Sequence, residues 1–352
     1  MNPVLVEAWR GQHVESAHTG AVAIVDAGGK VVFSLGDIQR PIFPRSAVKV
    51  MQALPLVTSG AADALALSDE ELAIACASHT GEPRHVATAS AMLAKAGVDV
   101  GSLECGAHWP SNEPAARALS CDGGEPSALH NNCSGKHAGF VCLGCIMARS
   151  LGRDTREYLR GYVGADHPVM REVGHALQTA TGVDLAKAPV GTDGCSIPTY
   201  AMPLSSIALG FARIATGQGL GFDQRQAAAR LREAVARAPF MTAGTERFGT
   251  QVMERFAQRV FCKSGAEGVF CAALPQLGLG VALKIDDGNS RGAQIVTAAV
   301  IEALVPMSDA ERSFIGNLRA PLLKNWNGIA VGRLDAAPTL VKGLSHCFAQ
   351  IH

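Results

Sequence analysis

The distribution of apolar and polar residues divides the chain into strand-like ends and a helical middle. VLVEAWRG at 4–11 is typical of a strand, and AVAIVDAGGKVVFSLGD at 21–37 has two β-branched runs around a DAGGK turn, which indicates a hairpin. After Lys263, residues 266–288 predict another hairpin, and TLVKGLSH at 339–346 predicts a final strand. Both chain ends are therefore expected to supply strands.

Helical periodicity dominates from about Ser46 to Arg259. One predicted helix opens with a capping box made by Ser68 and Glu71. Another has its expected stop at Gly182, the residue type that most often follows a helix. Further predicted helices cover 82–96, 223–237, 245–260 and, after the second hairpin, 292–305.

The simplest packing of this order is an α+β fold. Strands from both chain ends would share one antiparallel sheet, and a helical lobe would be inserted between them. We expect a single catalytic domain over residues 1–352, with a β part at about 1–45 and 263–352 and a helical lobe at about 46–262.

Composition excludes several classes of partner. Lys plus Arg and Asp plus Glu number 31 each, and no basic stripe is present, so neither nucleic acid nor a membrane surface is expected as a partner. The first residues lack the regions of a signal peptide, which predicts a cytoplasmic protein. Cys142 and Cys145 have C-x-x-C spacing but no second ligand pair, so they are expected to be core thiols.

The stretch FPRSAVKVMQALPL at 43–56 places Ser46 three residues before Lys49. Residues at this spacing lie on one face of a helix. A desolvated lysine loses its proton more easily and can then activate a serine. The alternative is an N-cap serine and a lysine that reaches solvent, and spacing alone favours this alternative.

A second lysine motif changes that balance. Lys263, Ser264 and Gly265 stand directly before an apolar strand, and an S-x-x-K followed late in the chain by K-[ST]-G is the order of penicillin-recognising serine hydrolases. The S-D-N element of those enzymes is missing. CASHTGEP at 76–83 takes its place, and Ser78 there could pair with a lysine.

Two segments concentrate potential metal ligands. HNNCSGKHAGF at 130–140 contains Cys133, Lys136 and His137, and GTDGCSIPTY at 191–200 contains Asp193 and Cys195. Two thiolates and a nitrogen donor would suit zinc. Spacing alone favours core thiols, and a Cys133–His137 nucleophile and base is a further alternative.

Taken together, PRSAVK, ASHTGE, NNCSGKHAGF, DGCSIP and KSGAEGV resemble the Rhizobium-etli-type L-asparaginase family, in order and over nearly the whole chain. The resemblance implies a β-lactamase/glutaminase-like fold, L-asparagine amidohydrolase activity and a homodimer. One difference concerns Gly249, because an acidic residue commonly stands there in the family.

The resemblance also assigns roles to individual residues. Ser46 with Lys49, and Ser78 with Lys263, would form two catalytic pairs; the sequence leaves open which serine attacks, and we favour Ser46. The implied zinc ligands are Cys133, Lys136 and Cys195, and the implied substrate-pocket residues are Arg45, His137 and Asp193.

Alternative functions remain at this point. Within the same fold, the chain could be a glutaminase or a penicillin-recognising hydrolase, although the missing S-D-N element argues against the latter. From another class, it could be a non-catalytic protein that binds zinc or an amino acid. The presence of both serines and both lysines argues for catalysis.

Overall fold

The computed structural model describes residues 1–351, whose contacts group into two compact units. The first contains Met1–Ala47, Ala201–Gln218 and the chain from Cys262 onward, and the second contains Val48–Tyr200 and Gly219–Phe261.

The strands are β1 (Val4–Arg10), β2 (His13–Asp26), β3 (Val31–Leu35), β4 (Pro41–Ile42), β5 (Val190–Thr192), β6 (Pro198–Tyr200), β7 (Met202–Pro203), β8 (Phe261–Ser264), β9 (Val269–Leu274), β10 (Leu279–Ile285), β11 (Leu322–Lys324) and β12 (Ala330–Ala336). The α-helices are α1 (Lys49–Gln52), α2 (Leu54–Thr58), α3 (Ala61–Ala64), α4 (Asp69–Ala75), α5 (Pro83–Ala96), α6 (Glu113–Cys121), α7 (Ser134–Ser150), α8 (Thr155–Leu159), α9 (Pro168–Thr181), α10 (Leu204–Thr216), α11 (Phe222–Arg237), α12 (Pro239–Ala243), α13 (Phe248–Phe256), α14 (Ser290–Leu304), α15 (Asp309–Arg319) and α16 (Pro338–Ile351).

The first unit is built on a sheet that takes strands from both chain ends. Within residues 1–351 this sheet has eight strands in the order β11-β12-β1-β2-β10-β9-β8, with β3 also paired to β2. The pairings from β11 through to β9 are antiparallel. The α+β prediction is therefore confirmed, as are the hairpins β2–β3 and β9–β10.

Helices cover both faces of this sheet. A Cβ on Gly280 of β10 would lie 2.0 Å from the carbonyl oxygen of Ala208 in α10, and one on Gly292 of α14 would lie 3.4 Å from Ile285 of β10. Residues 280 and 285 are an odd number apart and so point to opposite faces. The central strands are consequently apolar throughout, as the wholly buried β9 shows.

The predicted final strand at 339–346 is wrong. This segment lies in α16, and the last strand is β12, which ends at Ala336. Pro338 suits the first turn of a helix because its missing N–H has no partner there in any case. Leu340, Leu344 and Cys347 are buried, and their spacing of four and three residues is helical.

The second unit is helical, and its helix ends follow the local sequence signals. Ser68 and Glu71 form the capping box of α4, and Gly182 follows α9 with a φ of +73°. The helix expected over 245–260 is shorter, because α13 ends at Phe256 and Ala257 has a φ of +48°. No helix of residues 1–351 is long and apolar enough to cross a membrane.

The N-terminal part of α7 is buried, since every residue from Ser134 to Cys145 is enclosed. Gly135 allows its first turn to approach α4, since a Cβ there would lie 2.4 Å from the carbonyl oxygen of Ile74. Cys142 and Cys145 are buried free thiols on α7, which confirms their assignment to the core.

Candidate functional site

Lys49 is a fully buried lysine with three acceptors around its ammonium group. Its Nζ donates to the carbonyl oxygen of Ala77, to Oγ of Ser78 at 3.0 Å and to Sγ of Cys133 at 3.1 Å. Burial lowers the pKa of Lys49. The lysine therefore joins one predicted catalytic serine to one predicted zinc ligand.

The loop that carries Ser78 is held by its backbone. The amide of Ser78 donates to the carbonyl oxygen of Thr242 at 3.0 Å, and that of His79 donates to Asn132 at 3.2 Å. The His79 ring also bonds through Nε2 to Oγ of Ser134, at 2.9 Å. These bonds hold the segment that places Oγ of Ser78 beside Lys49.

Cys133 and Cys195 form a buried thiol pair within the second unit. Cys133 immediately precedes α7, and Cys195 lies in the turn between β5 and β6. A hydrogen bond from Cys195, together with the charges of Lys49 and Lys136, lowers the pKa of Cys133 well below its usual value. The same hydrogen bond raises the pKa of Cys195, so Cys133 is the more acidic thiol of the pair.

Lys136 completes a donor set that suits zinc. Its Nζ lies 2.9 Å from Sγ of Cys195. Burial acts to lower the pKa of Lys136, but the negative charge on Cys133 and Cys195 outweighs it and raises the pKa. A metal ion would have to displace the protons on the Lys136 amine and on the two thiols, because zinc binds thiolates and neutral nitrogen. The described residues contain no group of three His, Cys, Asp or Glu that could hold a metal, so a site here depends on the amine.

His137 has a buried ring nitrogen without a partner among the described residues. The Tyr162 hydroxyl accepts a hydrogen bond from the Glu104 amide at 3.0 Å, and its oxygen lies 2.6 Å from Nδ1 of His137. The direction of this contact depends on the tautomer of the ring: when the Tyr162 hydroxyl donates to Nδ1, the imidazole hydrogen lies on Nε2. Burial, with Lys136 nearby, lowers the pKa of His137, so the ring is neutral. Nε2 is buried without a hydrogen-bond partner in the part of the chain described.

Asp193 lies two residues before Cys195 in the β5–β6 turn. It is half-buried, its Oδ1 accepts from the Gly194 amide at 2.7 Å, and its charge contributes to the raised pKa of Lys136. The fold therefore places this carboxylate beside the predicted ligand cluster.

Arg45, Ser46 and Lys263 belong to the first unit. Arg45 and Ser46 lie in a 3-10 helix that ends at Val48, and Arg45 has a φ of +52°, a strained conformation for a side chain with a Cβ. Gly265 approaches this segment closely, because a Cβ there would lie 2.5 Å from the carbonyl oxygen of Pro44. The strand end that carries the buried Lys263 thus packs against the turn that carries Ser46.

The contact between Lys49 and Ser78 joins one member of each of the two pairs that the resemblance implies. Two further residues were missed, namely Tyr162 and His79. A buried tyrosine that contacts a histidine 25 residues away has no sequence signal, whereas ASHTGE did place His79 next to a candidate serine.

The comparison with protein-family models agrees with the motifs. The sequence model described as L-asparaginase II matches residues 6–336. None of the curated proteins compared with the chain matches it significantly. Among solved structures, a β-lactamase from Mycobacterium bovis shares 14% identity with a TM-score of 0.34, covering 78% of this chain and 89% of its own. A structure titled Mglu shares 16% identity with a TM-score of 0.33, covering 78% of this chain and 64% of its own.

Proposed function

Because the chain belongs to the L-asparaginase II family, we propose that it hydrolyses the side-chain amide of L-asparagine by a serine–lysine mechanism. The observation that supports this mechanism is the contact of the buried Lys49 amine with Oγ of Ser78 at 3.0 Å. Family membership supports the substrate, and the contact supports the chemistry.

Lys49 must be neutral to act as the base. A neutral amine has two hydrogens and one lone pair, so it can donate to Ala77 and Cys133 while it accepts the proton of Ser78. Burial shifts Lys49 toward this form. We assign the proton transfer to Lys49 and Ser78, with Ser46 and Lys263 as the second pair of the catalytic set.

The reaction then proceeds through an acyl-enzyme. A serine oxygen attacks the amide carbonyl, the base takes the serine proton and returns it to the leaving nitrogen, and ammonia departs. Water hydrolyses the ester to give L-aspartate and the free serine. Trapping the acyl-enzyme and identifying the modified serine by mass spectrometry will distinguish attack by Ser78 from attack by Ser46.

Asparagine is a small zwitterion, so its pocket needs a cation for the carboxylate and an anion for the ammonium group. We assign Arg45 to the carboxylate and Asp193 to the ammonium group. His137 offers the unpaired Nε2–H as a donor to a substrate oxygen. The strained φ of Arg45 supports a functional role for that residue.

Cys133, Lys136 and Cys195 would hold zinc. The two thiols, once deprotonated, and the adjacent neutral amine would provide the donor chemistry that zinc prefers. Zinc bound there would supply a fixed positive charge that positions the substrate. The protein residues carry out the proton transfers in this proposal.

We further propose a cytoplasmic homodimer. The family resemblance supports the homodimer. Light scattering coupled to size exclusion will measure the mass of the assembly against 36.6 kDa for one chain.

Ammonia release from a panel of amides tests the proposed substrate. We expect turnover of L-asparagine and much weaker turnover of L-glutamine, with no hydrolysis of nitrocefin. A preference for glutamine would move the enzyme to the glutaminase alternative, and nitrocefin hydrolysis would favour a penicillin-recognising enzyme. If no amide is hydrolysed, the result would favour a non-catalytic protein that binds zinc or an amino acid.

A further inference from the structure

A cavity in the second unit lies away from the residues assigned to catalysis. It has a volume of about 120 Å³ and is formed by α11, the end of α13 and the chain that leads to Phe261. A water molecule needs roughly 10–15 Å³ of such space. The cavity can therefore hold an organic molecule with a main chain of several heavy atoms.

Arg232 lines this cavity, and one donor of its guanidinium group is unpaired. Its Nε is buried and has no hydrogen-bond partner within residues 1–351, and burial lowers its pKa. A buried charged donor without an acceptor is costly, because its lost hydration is not replaced. The neighbouring carboxylate of Glu233 acts to raise the pKa of Arg232, but it makes no hydrogen bond with Nε and lies 3.8 Å from Arg237.

The remaining walls indicate what could bind there. Met253, Val260 and Phe261 supply an apolar lining, and all three are buried. A single guanidinium group matches one carboxylate, whereas Glu233 at the wall disfavours a doubly charged anion such as phosphate. The complementary ligand therefore has one carboxylate and a short apolar body.

The backbone gives an independent indication. Ala257, which also lines the cavity, has a φ of +48° and a ψ of −126°. A residue with a Cβ is strained in such a conformation, and residues of this kind cluster at functional sites. Here the strain ends α13 and brings Gln258 to the wall of the cavity.

From these observations we propose that the cavity at Arg232 is a binding site for a small aliphatic carboxylate, separate from the asparagine site. The guanidinium group binds the carboxylate, and the apolar walls enclose the aliphatic chain. Free aliphatic amino acids and simple fatty acids share this chemistry, and they differ only in the ammonium group.

Calorimetric titration of the full chain with 4-methylpentanoate tests the proposal. We expect saturable binding at one site per chain. Arg232→Gln should weaken it at least tenfold, whereas Arg225→Gln, which removes an exposed charge from the same helix, should leave it unchanged. Ala236→Leu fills the cavity and should abolish binding while Arg232 remains.

Three ligand controls complete the test. 4-Methylpentanamide lacks the charge and should not bind, and inorganic phosphate should not compete. L-Leucine binding as tightly as 4-methylpentanoate would identify amino acids as members of the ligand class, whereas much weaker binding would restrict the class to fatty acids. The proposal is overturned by the absence of saturable binding, by equal binding of the amide, or by binding that survives in Ala236→Leu.

Discussion

A buried ammonium group with three acceptors is stable, but a neutral amine in the same place is a base. Lys49 has this environment, and its neighbours include both Ser78 and Cys133. The same residue therefore connects the proposed proton transfer to the proposed metal site, and substitutions on either side should affect both properties.

Zinc content tests the ligand assignment at the level of single residues. Protein purified without added metal should carry about one zinc per chain, and Cys133→Ala or Cys195→Ala should lose it because each removes a thiolate. The matched control is Cys145→Ala, which removes a buried thiol whose pKa burial raises to about 11 and should keep the metal. Elemental analysis measures this directly.

Zinc removal should mainly raise KM for asparagine if the metal positions the substrate. A metal-free enzyme with normal KM and no kcat would contradict that role. Absence of zinc in the wild type, with no affinity on titration, would show that Cys133 and Cys195 are core thiols and not metal ligands.

Tyr162→Phe tests whether a hydrogen bond sets the state of His137. The change leaves the Glu104 amide and Nδ1 of His137 without partners, at a cost of about 1–3 kcal/mol in the free energy of unfolding. It should also raise KM, because the Nε2–H is no longer enforced. Tyr158→Phe is the control, since the buried Tyr158 hydroxyl has no partner among residues 1–351. Equal effects of the two substitutions on KM and stability would refute this role.

The residue assignments illustrate what sequence motifs can predict. NNCSGKHAGF and DGCSIP identified the segments whose thiols and amine the fold brings together. They did not identify Tyr162 or the contact between Lys49 and Ser78, because both depend on how separate helices and loops pack. Side-chain partners across that distance leave no periodic pattern.

At the scale of helices and strands, capping signals predicted boundaries well. Ser68, Glu71 and Gly182 act as expected, since caps are local hydrogen-bond and backbone requirements. No such signal predicted that α13 would end before Ala257. An alanine does not favour a positive φ by itself, so this conformation depends on the packing around it. The segment at 339–346 was mistaken for a strand because short apolar runs suit either structure.

Two glycines on different helices give an element-scale prediction. Gly135→Ala would place a Cβ 2.4 Å from the carbonyl oxygen of Ile74, whereas one at Gly174 meets only Leu185 at 3.9 Å. Gly174→Ala should stabilise α9 by about 0.5–1 kcal/mol through helix propensity. Gly135→Ala should cost about 1–3 kcal/mol through overpacking and should also displace Lys136 enough to weaken zinc binding.

Denaturant unfolding and zinc content measure both variants. A stabilised Gly135→Ala with full zinc content would show that the close approach of α7 to α4 is not required.

At the scale of the whole chain, order along the sequence predicted the main architecture. Strands β1–β3 and β8–β12 come from opposite ends yet form one sheet, as the arrangement of strand-like ends around a helical middle indicated. No sequence signal predicted that Ala201–Gln218 groups with that sheet. Helix α10 has the same apolar pattern as a helix of the second unit, so only its packing on Gly280 reveals its place.

The kinetics of Ser78→Ala with L-asparagine test the central claim most directly. The substitution removes one oxygen and leaves the backbone hydrogen bond to Thr242, so the fold and the zinc should be retained. We predict that kcat falls at least about a thousandfold, while Ser90→Ala, an exposed serine on α5, keeps wild-type turnover. Near-normal ammonia release by a folded, zinc-loaded Ser78→Ala enzyme would contradict the assignment of proton transfer to Lys49 and Ser78.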